Sequence, residues 1–333
     1  MQPPQYVEAD LAASVGPRGW VGGIQAVPSL TGLCTITSRA VERDELLLVV
    51  DVNVAITERT AARSEPEIEA GVTPGHAKIA LAAHRAGVVP APGDRRDRLF
   101  DRCPWDPPPA LHPLLDGSGL RPLLAARRSR VLGEWRDLGG PALGVSPAAW
   151  LRARWWASSR SFGLPSPHGV SLIPALDLID HSDAPTTRWR LTRGGTVELR
   201  AGQDLPAFAP LVHRYGIRSN LRWLLGWGFT VPDNPLQEAG VLLPGRGIVR
   251  VFAQPRPADL AALWSALGEE ARTDPAAARA ELAAACRARL EGLPAWTGDA
   301  PAHPLAADVL RVRQDERAAL ERWSDPGFCP RPP

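Results

Sequence analysis

The chain has 333 residues, of which 44% are hydrophobic, so it is long and apolar enough to bury a substantial core in one or two domains. Lysine and arginine total 38 against 36 acidic residues, a net charge of +2, which excludes the broad positive field that recruits nucleic acid or a membrane surface. No apolar run reaches about 18 residues and the N-terminus lacks a signal-peptide pattern, so we expect a soluble cytoplasmic protein.

The four cysteines are far apart in the sequence and form no Cys-x-x-Cys pair. They are Cys34, Cys103, Cys286 and Cys329. This spacing predicts reduced thiols, and it favours neither a disulfide framework nor a zinc site.

The N-terminal part predicts a short helix at residues 8–15, then a strand near 21–27 and a turn at 28–32. The stretch 33–57 first alternates between apolar and polar residues and then becomes continuously apolar. The turn-like segment at 42–45 separates the two runs, so we predict that they pair as a β-hairpin.

Helical periodicity dominates the middle of the chain. It predicts a helix at 76–86, further helices within 114–138, and another that begins at Pro147, where Ser146 is placed to cap the first turn. Residues 61–160 are therefore predicted to form a mostly helical segment.

After Pro235 the sequence predicts a pair of strands followed by three helices. The first helix spans 257–271, and the second begins after the capping residue Asp274. The last lies within 303–323 and is amphipathic. Its apolar face carries Leu305, Val309, Val312 and Leu320.

The stretch from Leu172 to Pro235 carries the residues best suited to chemistry. An apolar strand runs directly into an acid-rich turn that ends in Asp180 and His181, and the pair Tyr215-Gly216 precedes a helix rich in tryptophan. The chain has 12 tryptophans and only 2 tyrosines, so a tyrosine at this place indicates a need for its phenol hydroxyl.

The order of motifs here resembles that of the SET-domain methyltransferases, in the branch typified by RuBisCO large-subunit methyltransferase and actin-histidine methyltransferase. That branch has a Ser-Arg pair, an apolar strand into P-x-x-D-x-x-N-H-S/T, an acidic strand, x-Y-G-x-x-S-N, and a helix that ends in Gly-Phe with Asn-Pro beyond. The matching residues are Ser159-Arg160, Pro174, Asp177, Asp180-His181-Ser182, Tyr215-Gly216, Ser219-Asn220, Gly228-Phe229 and Asn234-Pro235. One letter differs, because Asp180 stands where the family has asparagine.

The resemblance implies an α+β protein with the SET β-fold, in which small twisted sheets accompany a pseudoknot-like crossing near the C-terminal part of the domain. The implied division is an N-terminal SET part (1–60), a helical insertion (61–160), a C-terminal SET part with the cofactor and catalytic motifs (161–235), and a small helical domain (236–333). The last of these is similar to the family's substrate-binding domain.

The resemblance also implies a site for S-adenosylmethionine (SAM). Its catalytic residue is Tyr215, whose hydroxyl lies beside the transferred methyl group in the family. The cofactor-binding residues that the resemblance implies are Leu30, Thr31, Gly32, Arg160, Asp177, Asp180, His181 and Trp227. The turn at 30–32 lacks the first glycine of the family's Gly-x-Gly, where bare backbone approaches the cofactor.

Each of these residues also has a purely structural interpretation. Tyr215 is compatible with a core aromatic whose hydroxyl is satisfied, and Asp177 and Asp180 with a capped turn. Arg160 fits a solvated charge at a helix end, and the tryptophans fit the core. We predict no metal site, because the one nearby histidine gives no ligand spacing, and we assign His213 to a strand surface without a role.

We predict a SAM-dependent methyltransferase that acts on a protein lysine or histidine, with neither a nucleic acid nor a membrane as partner. A SET-fold enzyme recruited to a small-molecule acceptor is the first alternative, and a SET-fold binding module without catalysis is the second. The sequence leaves open the acceptor, the number of methyl groups transferred and the oligomeric state.

Overall fold

The structure, a computed structural model, describes residues 8–29, 32–64, 74–91, 100–325 and 327–328. Its helices are α1 (Glu8–Ser14), α2 (Glu58–Ser64), α3 (Gly75–Arg85), α4 (His112–Leu115), α5 (Leu120–Asp137), α6 (Pro147–Arg160), α7 (Asn220–Trp227), α8 (Pro257–Thr273), α9 (Pro275–Glu291) and α10 (Ala306–Ser324). Its strands are β1 (Trp20–Val21), β2 (Ile24–Ser29), β3 (Gly32–Thr37), β4 (Leu46–Asp51), β5 (Ile56–Thr57), β6 (Phe162–Leu164), β7 (Gly169–Leu172), β8 (Asp180–His181), β9 (Thr187–Leu191), β10 (Thr196–Ala201), β11 (Val212–His213), β12 (Glu238–Leu243) and β13 (Gly247–Phe252).

The chain forms two compact units. The first comprises residues 1–101 and 130–217, and the second comprises residues 102–129 and 218–333. The division into four parts along the sequence stays a prediction. The mixture of helices with small sheets confirms the α+β class, and no helix within the described ranges is long and apolar enough to cross a membrane.

The predicted helices are present, and those expected within 114–138 are two. Helix α4 ends at Leu115 and α5 begins at Leu120. Gly117 lies between them with φ +72°, and a Cβ there would come within 2.0 Å of the carbonyl oxygen of Gly292. This close approach of two backbones requires glycine and ends the helical pattern.

In the first unit, β4 lies inside a sheet of strand order β1-β4-β10-β9, which accounts for its continuously apolar sequence. The predicted hairpin between β3 and β4 is wrong. Strand β3 pairs antiparallel with β2, with Ser29 opposite Gly32, whereas β4 pairs with β1 and β10. The segment between them bridges Val41 to Leu205, so the two strands enter different sheets.

Two very short strands position the motif residues of the first unit. Strands β8 and β11 run parallel, with Asp180 opposite Val212 and His181 opposite His213. This pairing brings the acid-rich turn beside the segment that carries the conspicuous tyrosine.

In the second unit, the β12–β13 hairpin packs one face against α8, α9 and α10 around a hydrophobic core. Asp274 caps α9 as predicted, accepting a hydrogen bond from the Ala277 N–H at 3.0 Å. The amphipathic face of α10 is also confirmed, because Val309, Val312 and Leu320 are buried. Leu305, directly before the helix, is buried as well.

Candidate active site

Helix α6 ends at Arg160, in the candidate site. Ser146 caps its start, accepting a hydrogen bond from the Ala149 N–H at 3.2 Å, and Pro147 follows in the first turn as predicted. At the other end, the guanidinium carbon of Arg160 lies 4.2 Å from the centre of the Trp156 ring, and the side chain is only 9% exposed. Arg160 is therefore not the solvated helix-end charge that the sequence also allowed.

The protein satisfies Arg160 only in part. Its Nη1 donates to the backbone oxygen of Asp177 at 2.8 Å and lies 3.5 Å from the Oδ2 atom of that carboxylate. Its Nε–H is buried and has no acceptor among the described residues. Because a buried donor left without an acceptor costs about 1–3 kcal/mol, this N–H suits an anionic group of a ligand.

The acid-rich turn between β7 and β8 holds an unusual backbone conformation. Ala175 has φ 64° and ψ −36°, a region that residues with a Cβ rarely adopt, and Leu176–Leu178 form a short 3₁₀ turn. The Asp177 N–H donates to the Ile173 oxygen at 3.2 Å. Backbone strain of this kind is common at functional sites, and the strained residue lies two positions before Asp177, whose carboxylate is beside Arg160.

Tyr215 is held at its hydroxyl, its backbone and its ring. The hydroxyl donates to the backbone oxygen of Ile179 at 2.6 Å, and the N–H donates to Nδ1 of His181 at 3.2 Å. Burial, reinforced by the nearby Asp180 carboxylate, raises the pKa of the phenol well above its ordinary value. Tyr215 therefore stays neutral at physiological pH and acts as a fixed hydroxyl, which can donate and accept hydrogen bonds.

Two histidine rings flank that tyrosine ring. Their centroids lie 5.3 Å (His181) and 4.7 Å (His213) from the centroid of Tyr215. Since Nδ1 of His181 accepts the Tyr215 N–H, the neutral ring carries its proton on Nε2. Burial lowers the pKa of His181, which favours this neutral form.

The assignment of His213 to a strand surface is wrong. Its side chain is buried, with 4% of the residue exposed, and its Nδ1 has no hydrogen-bond partner in the part of the chain that the structure describes. Burial, with a smaller effect from His181, lowers the pKa of the imidazole to about 4. The two-residue alternation was the signal that could have found this, because Leu211, two residues before His213, is also buried.

Asp180 is an exposed residue of β8, although neighbouring protein atoms partly desolvate its carboxyl. The resulting desolvation raises its pKa, while the Arg160 guanidinium opposes that rise. Cys34 of β3 lies near the same carboxyl, and burial together with the Asp180 charge raises the pKa of the thiol. Asp177 and Asp180 against Arg160 leave this part of the site with a net negative charge.

A cavity of about 460 Å³ lies in the first unit beside the acid-rich turn. Its wall is mostly apolar and includes Leu33 of β3, Trp156 of α6, Pro174 and Asp177. A volume of this size lies within the range of roughly 300–1,000 Å³ typical of small-ligand sites.

Comparison with solved structures identifies the architecture. The SET domain of LSMT bound to lysine and AdoHcy superposes with a TM-score of 0.73 at 15% sequence identity, over 94% of this chain and 87% of that chain. The chain has the SET fold. Rubisco LSMT bound to AdoMet gives a TM-score of 0.71 at 15% identity, over 94% and 88% of the two chains. Rubisco LSMT bound to sinefungin and monomethyllysine gives 0.71 at 16% identity, over 91% and 86%.

This likeness is one of fold and not of overall sequence. No protein-family model matches the sequence, and comparison with curated proteins finds no significant match. The predicted SET fold is nevertheless confirmed. In the sequence, the order of the motifs was the feature that indicated this fold.

The SET fold gathers most of the predicted site residues in the first unit. They are Arg160, Asp177, Asp180, His181 and Tyr215. Leu30 and Thr31 lie outside the described residues, and Gly32 begins β3. Trp227 ends α7 in the second unit, where its ring centroid lies 5.1 Å from that of Trp223. For all of the predicted site residues, the role in cofactor binding or catalysis stays a prediction.

Several motif residues of the second unit have structural roles in this SET fold. Ser219 caps α7, accepting from the Arg222 N–H at 3.4 Å, and Gly228 ends that helix with φ +74°. Asn220 is buried, and its Nδ2 donates to Oδ2 of Asp315 at 2.8 Å. These letters of the motif are therefore explained by folding alone.

Proposed function

We propose that this protein is a SAM-dependent methyltransferase that transfers a methyl group to a side-chain nitrogen of a protein lysine or histidine. The observation that carries the proposal is the buried Nε–H of Arg160, which has no acceptor within the described residues and lies beside Asp177 and the rigidly held Tyr215. A guanidinium in this state is suited to a carboxylate, since its planar N–H groups match two carboxylate oxygens.

The residues present fit SAM in charge as well as in hydrogen bonding. The amino-acid carboxylate of the cofactor would meet Arg160. The net negative charge of Asp177 and Asp180 against that arginine favours a sulfonium, because opposite charges at about 4 Å attract by about 1–4 kcal/mol depending on exposure. The solved structures with this fold hold AdoMet, AdoHcy or sinefungin, which further supports the assignment.

Bound SAM supplies a methyl group on a positively charged sulfur, which needs alignment more than acid or base catalysis. Tyr215 is suited to that alignment, because its hydroxyl, backbone N–H and ring are all held in place. Its raised pKa keeps the phenol neutral, so its oxygen offers a hydrogen-bond acceptor without becoming a competing nucleophile.

Two kinds of methyl acceptor have support. An amine acceptor is supported by the LSMT structures that contain lysine or monomethyllysine. A small-molecule acceptor is favoured by Asp180, because desolvation raises the pKa of this carboxyl, and a carboxylate of raised pKa is a stronger base toward a substrate proton.

Transfer of label from [methyl-³H]SAM tests the proposal. The wild-type protein is incubated with a pool of lysine- and histidine-containing peptides and, separately, with the small-molecule fraction of a cell extract. We expect label in the peptides as methyllysine or methylhistidine after hydrolysis, and its loss in Tyr215→Phe. Label only in the small-molecule fraction would favour the second acceptor. Absence of label in both, from protein that binds SAM, would contradict catalysis and leave a binding module.

A further inference from the structure

The second unit contains a larger cavity, of about 700 Å³, that the proposed methyl transfer does not use. The start of α5, helices α7 and α10, and the outer face of the β12–β13 hairpin line it. Its volume is again within the range of roughly 300–1,000 Å³ for small-ligand sites.

The two faces of the hairpin differ sharply. The inner face is buried against the helices of the second unit and carries Ala239, Val241, Leu243, Val249 and Val251. On the outer face Leu242 lies opposite Ile248, and each is 69% exposed. With Leu123 of α5, which is 38% exposed, they form an apolar rim to the cavity. Exposed apolar residues that cluster around a cavity indicate a binding surface more strongly than single ones do.

One carboxylate is buried at the wall of this cavity. Glu238 is 3% exposed, and its Oε2 accepts from Nη1 of Arg250 at 3.2 Å. Its Oε1 receives no hydrogen bond from any described residue, and the Arg222 Nε lies 3.5 Å away. A buried carboxylate oxygen without a donor is costly, so it suits a ligand that brings one.

The charges around this oxygen limit the kind of donor. An anionic group such as a carboxylate has no hydrogen to donate, so it would leave Oε1 of Glu238 unsatisfied. A cation would meet Arg222 and Arg250, which both lie within ion-pair distance of the same carboxylate. A neutral N–H or O–H group can satisfy Oε1 without repulsion from the two arginines. Because the rim of the cavity is apolar, we expect the rest of the ligand to be apolar.

We propose that this cavity binds a neutral apolar group that carries a single N–H or O–H donor, with Oε1 of Glu238 as its acceptor. The chemistry is that of an indole or a phenol, which either a free small molecule or the tryptophan or tyrosine side chain of a protein partner can supply. The inference does not depend on the proposed methyl transfer.

Indole and benzofuran test the donor directly, because they share one shape and only indole has an N–H. Titration of the wild-type protein by ligand-observed NMR should show indole binding about tenfold more tightly than benzofuran, as expected for a hydrogen bond to a charged group. Glu238→Gln should bring the affinities for indole and benzofuran closer together. Equal binding of the two compounds to the wild type, or no binding of indole, would overturn the proposal.

Rim variants keep the test independent of the buried acid. Leu242→Ser and Ile248→Ser change exposed side chains, and each should weaken the binding of indole and the binding of benzofuran to the same extent. The matched control is Phe208→Asn in the first unit, which removes a side chain that is 68% exposed at a positive φ favourable to asparagine. Rim variants that bind indole as well as this control does would also overturn the proposal.

N-Acetyltryptophanamide distinguishes the two sources of the donor. Binding at least as tight as that of indole assigns the site to a side chain of a protein partner. Binding of indole without binding of the amide assigns it to a free small molecule.

Discussion

Replacing His213 by leucine should make the stability of the fold less dependent on pH. Burial lowers the pKa of this imidazole from 6.5 to about 4, so the folded protein holds it neutral, while the unfolded chain protonates it near its ordinary pKa. Because the pKa in the folded state is depressed, the unfolded state binds more protons in the window between these two values. The stability contributed by the neutral ring is therefore complete above pH 6.5 and is lost as the pH falls toward 4.

The size of the effect follows from the two pKa values. The full gap between them corresponds to about 3 kcal/mol, of which about 2 kcal/mol is lost between about pH 7 and about pH 5. Urea denaturation of the wild type and of His213→Leu at both pH values measures this difference. His112→Gln is the matched control, because His112 is exposed on α4. Parallel pH dependence in wild type and His213→Leu, or an equal change in the control, would refute the reasoning.

Three further substitutions test individual contacts. Tyr215→Phe removes the hydrogen bond to the Ile179 oxygen, so the free energy of unfolding should fall by about 1 kcal/mol in thermal unfolding. The affinity for SAM should be nearly unchanged, and the turnover rate should fall about 10–100-fold. Full activity would contradict the catalytic role. Asp180→Asn removes one of the negative charges that favour a sulfonium and should weaken SAM binding in calorimetry; unchanged or tighter binding would contradict that electrostatic contribution. Asn220→Asp places a second buried carboxylate against Asp315 and should destabilise the fold by about 3–5 kcal/mol in denaturant titrations, whereas wild-type stability would show that the network at Asn220 relaxes freely.

The helices could be predicted from the sequence because their causes are local. Ser146 and Asp274 cap the helices that follow them, and the apolar period of α10 matches its buried face. Strand pairing was predicted less well, because β3 and β4 are neighbours in sequence but pair with β2 and with β1 and β10. The preference of an apolar strand for a central position does not say which strands flank it.

The same distinction applies to the site. The motif order pointed to Arg160, Asp177 and Tyr215, and the fold places them together. The sequence could not show that Arg160 stacks on Trp156 with a buried Nε–H, or that His213 faces inward. Both depend on how separate elements pack, which no spacing within one segment determines.

Isothermal titration with SAM and with its demethylated product AdoHcy tests the central claim most directly. We predict binding of both ligands to the wild type, with clear loss of affinity in Arg160→Leu and little change in Arg152→Gln, a control on the same helix α6. If neither ligand gives a heat of binding at about 1 mM, or if the two variants bind SAM with equal affinity, the assignment of this site to SAM is contradicted.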